Sequence, residues 1–212
     1  MVSKKNNILK NYPPPSRLSF PEDEKQTDWL SGLLDAYYTA DRGIYKSILK
    51  EERKGRKLAC AKGCSTCCTT HVTIPVYPLE ILGIYWFVIL KTAETLKKKL
   101  KSNLELFSHG KSCPFLVDGS CGIHPMRPLA CRHFNVFSKS CEKGEDPYYT
   151  RKGDVLIPDE NAKNKALSLM VFIHGIIDRN ERKEFVRSGK IHSLARNMQE
   201  IDWHKLAERI SL

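Results

Sequence analysis

The chain has no long apolar run. Its most apolar window, Ile81 to Leu90, follows Pro75, Pro78 and Glu80 and falls well short of the ~20 residues a membrane-crossing helix needs, which excludes a transmembrane span. The first seventeen residues hold lysines, asparagines and the run Pro13-Pro14-Pro15, but no apolar stretch of the kind at the centre of a secretory signal. A cytoplasmic location is therefore expected. No segment repeats at a fixed period, and no two glycines stand in a Gly-x-Gly pair, so the familiar glycine-rich cofactor loop is missing. Acidic residues are few: 24 Asp and Glu face 35 Lys and Arg, a formal charge of +11. That balance favours nucleic acid, an acidic protein or anionic lipid as a partner. The basic residues are dispersed over several segments, however, with no groove-reading helix or stacking platform, which argues against a nucleic-acid binder.

What the chain does have is enough apolar material for a core and an excess of cysteine. At 212 residues, 41% apolar and 28% charged, it has the length and composition of one globular domain. Met1 to Glu22, polar and proline-rich, reads as a flexible tail dispensable for folding, and residues 23–212 as a single helical domain with a metal-binding core over 58–142. Trp29, Leu33, Tyr37, Ala40, Ile44 and Ile48 recur every three or four residues, predicting a helix from Asp23 to about Lys54 that Gly55 ends. A second helix opens at Pro78 with Glu80 in its first turn. Its first half is apolar nearly all round, and it continues through the stripe Ala93, Leu96, Leu100, Leu104 and Phe107, with Lys97, Lys98, Lys99 and Lys101 as a solvated face. Two further helical stripes are Ala166, Leu169, Met170, Ile173 and Ile177, then Leu194, Met198, Ile201 and Leu206. The expected fold is mainly α, with helices packed around a long irregular cysteine-rich region.

That region, His109 to Asp159, has little helical periodicity. A loop so long needs something other than regular secondary structure to hold it, and metal ligation supplies such a constraint. Eight cysteines without an export signal do not read as a disulfide framework, because cytosolic reductants keep thiols reduced. Cys60, Cys64, Cys67 and Cys68 crowd into one compact loop, at spacings that let a tight turn direct two sulfurs at one metal. Cys113, Cys121, Cys131 and Cys141 follow at wider intervals among prolines and glycines, with Asp118-Gly119 as a turn between the first two. Eight sulfurs suffice for two four-ligand sites. Neighbours in an extended backbone point to opposite sides, so either one of Cys67 and Cys68 serves a second site, or one is a buried or redox-active thiol beside a single cluster. Each four-thiolate site, once filled, carries a net −2 and lowers the apparent basicity.

The motifs Cys60-x3-Cys64-x2-Cys67-Cys68, Cys113-Pro114-Phe115-Leu116 with Gly119 and Cys121, and Ile123-His124-x2-Arg127-Pro128-x2-Cys131-Arg132 with Phe134 are present, and Cys141 follows more loosely. This arrangement resembles the YkgJ-type cysteine-cluster family of zinc- or iron-chelating proteins. The resemblance implies a helical domain gathering Cys60, Cys64, Cys67, Cys68, Cys113, Cys121 and Cys131 around iron or zinc, with no substrate implied. His124 stands where relatives often have tyrosine and takes no role from them. A flagellin lysine methylase is similar across the same cysteines, which raises a methylase-like activity as an alternative. A thiol-dependent enzyme using Cys67 or Cys68, which would need a lowered thiol pKa, and a zinc-stabilised nucleic-acid binder are the others.

Zinc favours closed tetrahedral thiolate sites, and iron–sulfur clusters of the 4Fe–4S type use the same donors. Without an obvious Cys and His pairing scheme, the eight thiols suit an iron–sulfur cluster at least as well as zinc, with electron transfer, redox sensing or metal handling as the role. His71, His124 and His133 are candidate substitutes as ligands, though ordinary hydrogen-bonded histidines are the commoner case. Arg127 and Arg132 either neutralise the thiolates and hydrogen-bond to sulfur or form surface ion pairs. No protein partner is identifiable.

Overall fold

The computed structural model describes residues 12–211; residues 1–11 lie outside them. It is mainly helical. Helices α1 (Pro21–Gln26) and α2 (Asp28–Arg53) cover the first predicted helical stretch, interrupted at Thr27, whose hydroxyl and amide both turn back to the Asp23 carbonyl. The predicted stripe of α2 is where expected: Leu33, Tyr37, Ala40, Ile44 and Ile48 are buried and Trp29 is half-buried. The other long partner is α8 (Glu160–Met170), started by the Asp159 carboxylate accepting the Ala162 amide. The two approach closely because α2 carries Gly43 at the crossing, where a Cβ would collide with that of Ala162.

Part of the expected tail is docked. Arg17 donates to Asp35, to Glu24 and to the Ser31 carbonyl, and Phe20 meets Trp86 edge-on at 4.9 Å. Tyr12 packs beside Leu58 against a small second core of Ile44, Ile48, Phe137 and Leu156.

The helix predicted from Pro78 to Phe107 is two: α4 (Pro78–Leu90) and α5 (Glu94–Glu105). Thr92 breaks it. Its hydroxyl donates to the Val88 carbonyl at 2.6 Å and its amide to Phe87, after which Ala93 turns extended, the local competition with helical bonding that threonine provides. The first half is also not buried all round, since Leu82 and Leu90 are exposed. Further on, Gly175 in the left-handed region ends the α8 run, leaving Ile177 exposed instead of on the buried stripe. After α9 (Arg179–Arg187), the last predicted stripe divides among 3-10 turns, a short strand and α10 (His204–Glu208), because Met198 and Leu206 reach the core from separate elements. No helix among the described residues is long and apolar enough to cross a membrane.

Two short antiparallel pairs position the cysteine segments. Strand β1 (Pro75–Val76) pairs with β4 (Arg196–Asn197), and β2 (Leu116–Val117) pairs with β3 (Ser120–Cys121) across the Asp118-Gly119 turn. Both turn residues have positive φ, 49° and 71°, the conformation that a two-residue hairpin demands and that Asp-Gly supplies. Trp203, fully buried, donates to the Met198 carbonyl at 2.8 Å and stands edge-on to Phe115 at 4.8 Å. The C-terminal segment thereby buttresses the stretch just after Cys113.

Candidate metal centre

Four segments carry the cysteines. The first is the loop from Ala59 into α3 (Thr66–Thr70). Cys60 is pinned at its start: its Sγ accepts the Val136 amide at 3.3 Å while the Ala59 amide donates to the Val136 carbonyl at 2.8 Å. Cys64, just past Gly63 at φ 84°, is exposed. Cys67 and Cys68 lie on α3 and not on an extended strand. Their side chains therefore diverge by about 100°, not 180°, and the two thiols are neighbours.

The second segment is the hairpin. The Cys113 amide donates to the Cys68 carbonyl at 2.7 Å, and the register of β2 against β3 sets Cys121 opposite Leu116. The Cys113 thiol contacts the Met198 sulfur at 3.9 Å. The third segment is α6 (Leu129–His133), which carries Cys131. Its first amide, on Leu129, donates to the Glu80 carboxylate at 2.6 Å, and the same carboxylate accepts the Tyr77 amide at 3.0 Å. One fully buried side chain thus fixes the starts of both α4 and α6. The fourth segment carries Cys141, whose Sγ accepts from the Arg151 guanidinium at 3.7 Å. Arg151 is itself held by Glu145 at 2.7 Å and by Asp154 at 3.2 Å, and in return keeps the Glu145 carboxyl down at about 2.

The thiols perturb one another. Contact with Cys68, then burial, pushes Cys67 up. Contact with Cys113 is the largest influence raising Cys68 to about 12, with burial adding to it. Burial first, then the thiols of Cys67, Cys121 and Cys68, lifts Cys131. Burial also raises Cys60, which is near Cys64 and Cys67, and Cys141, which is near Cys60 and Cys64. Arg127 opposes the rise at Cys60, Cys67, Cys121 and Cys131, and its buried Nε has no hydrogen-bond partner among the described residues.

The two arginines of the third motif thus part ways. Arg127 is the cation whose charge reaches the most sulfurs, Cys60, Cys67, Cys121 and Cys131. Arg132 is buried and spends its donors on Asp41 at 2.7 Å and on the carbonyls of Arg127 and Pro125, with its guanidinium 3.9 Å above the Tyr37 ring. Its nitrogens all bond to oxygen and it is no surface ion pair, but its charge still lowers Cys121. His71 sits edge-on to Phe134 at 4.3 Å, with Nδ1 2.9 Å from the Thr70 hydroxyl and Nε2 3.6 Å from Asp146. Burial lowers His124 and His133 to about 4, with Arg127 contributing at the first and Lys163 at the second. Two participants were not singled out by sequence. Sequence gives Glu80 only a favourable charge at a helix start, and Arg151 no motif signal.

Among the described residues no three Cys, His, Asp or Glu side chains are drawn together tightly enough to hold a metal ion. The donor chemistry fits a metal: soft thiols in excess, partly buried and beside a cation, suit zinc or iron and not magnesium or calcium.

Residues 59–152 match a protein-family model named CxxCxxCC, described as "Putative zinc- or iron-chelating domain". The match spans under half of the chain and includes all eight cysteines together with Arg151. It agrees with the cysteine-cluster family that the motifs resembled. No curated protein and no solved structure matches the chain.

Proposed function

We propose that this protein binds metal through Cys60, Cys64, Cys67, Cys68, Cys113, Cys121, Cys131 and Cys141, and that the metal is iron in an iron–sulfur cluster, with zinc as the competing occupant. The observation that carries the reading is the nearness of thiols from four separate segments: Cys68 to Cys67 and Cys113, Cys131 to Cys67, Cys121 and Cys68, and Cys141 to Cys60 and Cys64. An ordinary core keeps cysteines as isolated small hydrophobes. Here they adjoin one another, which suits a shared inorganic centre. When bound, a cluster supplies one-electron chemistry. The chain's own part is to supply the thiolates, with Arg127 and Arg151 offsetting their negative charge and Glu80 fixing the helix that bears Cys131. Electron transfer, redox sensing or metal handling in the cytoplasm is the corresponding role.

A thiol nucleophile is disfavoured because it needs a depressed pKa, whereas Cys67 and Cys68 are both raised. Anaerobic purification, elemental analysis and an absorption spectrum test the proposal. Brown protein with iron and acid-labile sulfide is expected. A colourless product with stoichiometric zinc overturns the iron assignment, and metal-free protein that takes up neither metal overturns the proposal.

A further inference from the structure

The eight sulfurs are not equivalent in the fold. Cys113, Cys121 and Cys131 pack against the large core, and the Cys113 backbone is bonded to that of Cys68. Cys60 belongs elsewhere. It follows Leu58, which lies in a bridge to Phe137 and packs on the small second core, and its Sγ is bonded to the Val136 amide. The Ser138 amide donates to the Lys57 carbonyl, so the chain leading to Cys141 runs beside the chain leading to Cys60. Cys141 in turn is near Cys60 and Cys64. Among the described residues no backbone hydrogen bond joins Cys60, Cys64 or Cys141 to Cys113, Cys121 or Cys131. The two groups meet at α3, where Cys67 and Cys68 stand side by side and Cys67 is near Cys60 on one hand and Cys121 and Cys131 on the other.

We infer that the cysteines serve two metal centres: an inner one held by Cys68, Cys113, Cys121 and Cys131 over the large core, and an outer one held by Cys60, Cys64, Cys141 and, at the boundary, Cys67. This rests on the metal-binding reading above and deepens it. Each group has its own support. The inner one hangs from a hairpin, from α6 and from the Glu80 anchor. The outer one has Arg151, clamped by Glu145 and Asp154, on the Cys141 sulfur. Arg127, whose charge reaches Cys60 as well as Cys121 and Cys131, offsets charge on both. The centres differ in access. Cys64 is exposed, whereas Cys68, Cys113, Cys121 and Cys131 are all half-buried, the last three against the large core. The outer metal should therefore leave first.

The test is metal content by elemental analysis and native mass spectrometry on the full chain, loaded anaerobically either with zinc alone or with iron and sulfide. Wild type is expected to hold two zinc ions, or about eight irons as two four-iron clusters, and to release half of its metal to a chelator at least tenfold faster than the rest. The double variant Cys64→Ser/Cys141→Ser should keep half the load, lose only the fast phase and retain wild-type circular dichroism. Cys121→Ser removes an inner sulfur, and where it folds it should keep the fast phase alone. A single zinc or a single four-iron cluster in wild type overturns the two-centre division while leaving metal binding intact. So does an outer double variant that holds either all or none of the metal. Wild type that binds no metal in either loading overturns the metal-binding reading itself.

Discussion

The backbone amide of Cys113 donates to the carbonyl of Cys68 at 2.7 Å. This bond links the first cysteine motif to the second through main chain alone, so the two sulfurs are held near each other whatever their protonation. Metal binding to the folded form should tighten that junction and stabilise the whole chain. At a free metal concentration a thousandfold above the dissociation constant, the gain is about 4 kcal/mol, or roughly 8–16 °C in melting midpoint for a chain of this size. Differential scanning calorimetry before and after chelation measures it. Identical midpoints would count against thiol ligation.

Glu80 sets a pH dependence. Burial lifts its carboxyl to about 7 in the folded chain, against an ordinary value of 4.5. Folding thus favours the protonated form, so its contribution is complete below about pH 4.5 and is lost as pH rises through about 7. The difference corresponds to about 3 kcal/mol. Urea midpoints of wild type minus Glu80→Gln, taken from pH 4.5 to 8, should fall across that window. Parallel profiles would show that the carboxyl does not titrate there.

Arg127 should matter for affinity more than for folding. Removing its charge with Arg127→Met is expected to weaken metal binding about tenfold to a hundredfold, the usual cost of losing an outer-shell partner, and Arg127→Lys should recover part of it. Competition against a coloured chelator gives the numbers. Unchanged affinity in Arg127→Met would remove the residue from the site.

At the α2–α8 crossing, Gly43→Ala forces a methyl group onto Ala162. The expected loss is about 1–3 kcal/mol, the range for overpacking, despite alanine's better helix propensity. Ala162→Gly in the same chain should restore much of it. If the single substitution stabilises the protein in a denaturation curve, the two helices are further apart than described.

The cysteine motifs, the α2 stripe and the Asp118-Gly119 turn were legible because each is a local signal: spacing, periodicity or a turn dipeptide. The break at Thr92 was not, since threonine tolerates a helix and only the hydroxyl's bond to Val88 shows which choice was made. Ile177 and Leu194 fit a helical period but fall on opposite sides of α9, beyond the reach of a stripe argument. Glu80 owes its role to Leu129, 49 residues on, and Arg151 to Cys141 across an irregular loop with no periodicity to pair them. Placing them required the tertiary fold.

Arg132 has every side-chain nitrogen engaged, on Asp41, Arg127 and Pro125, and it caps the Tyr37 ring. The α6 stem is therefore locked to α2 by groups that are not sulfur. The frame around Cys131 is therefore expected to keep its shape whether or not the sulfurs carry an ion, unlike small fingers that collapse into shape only around their zinc.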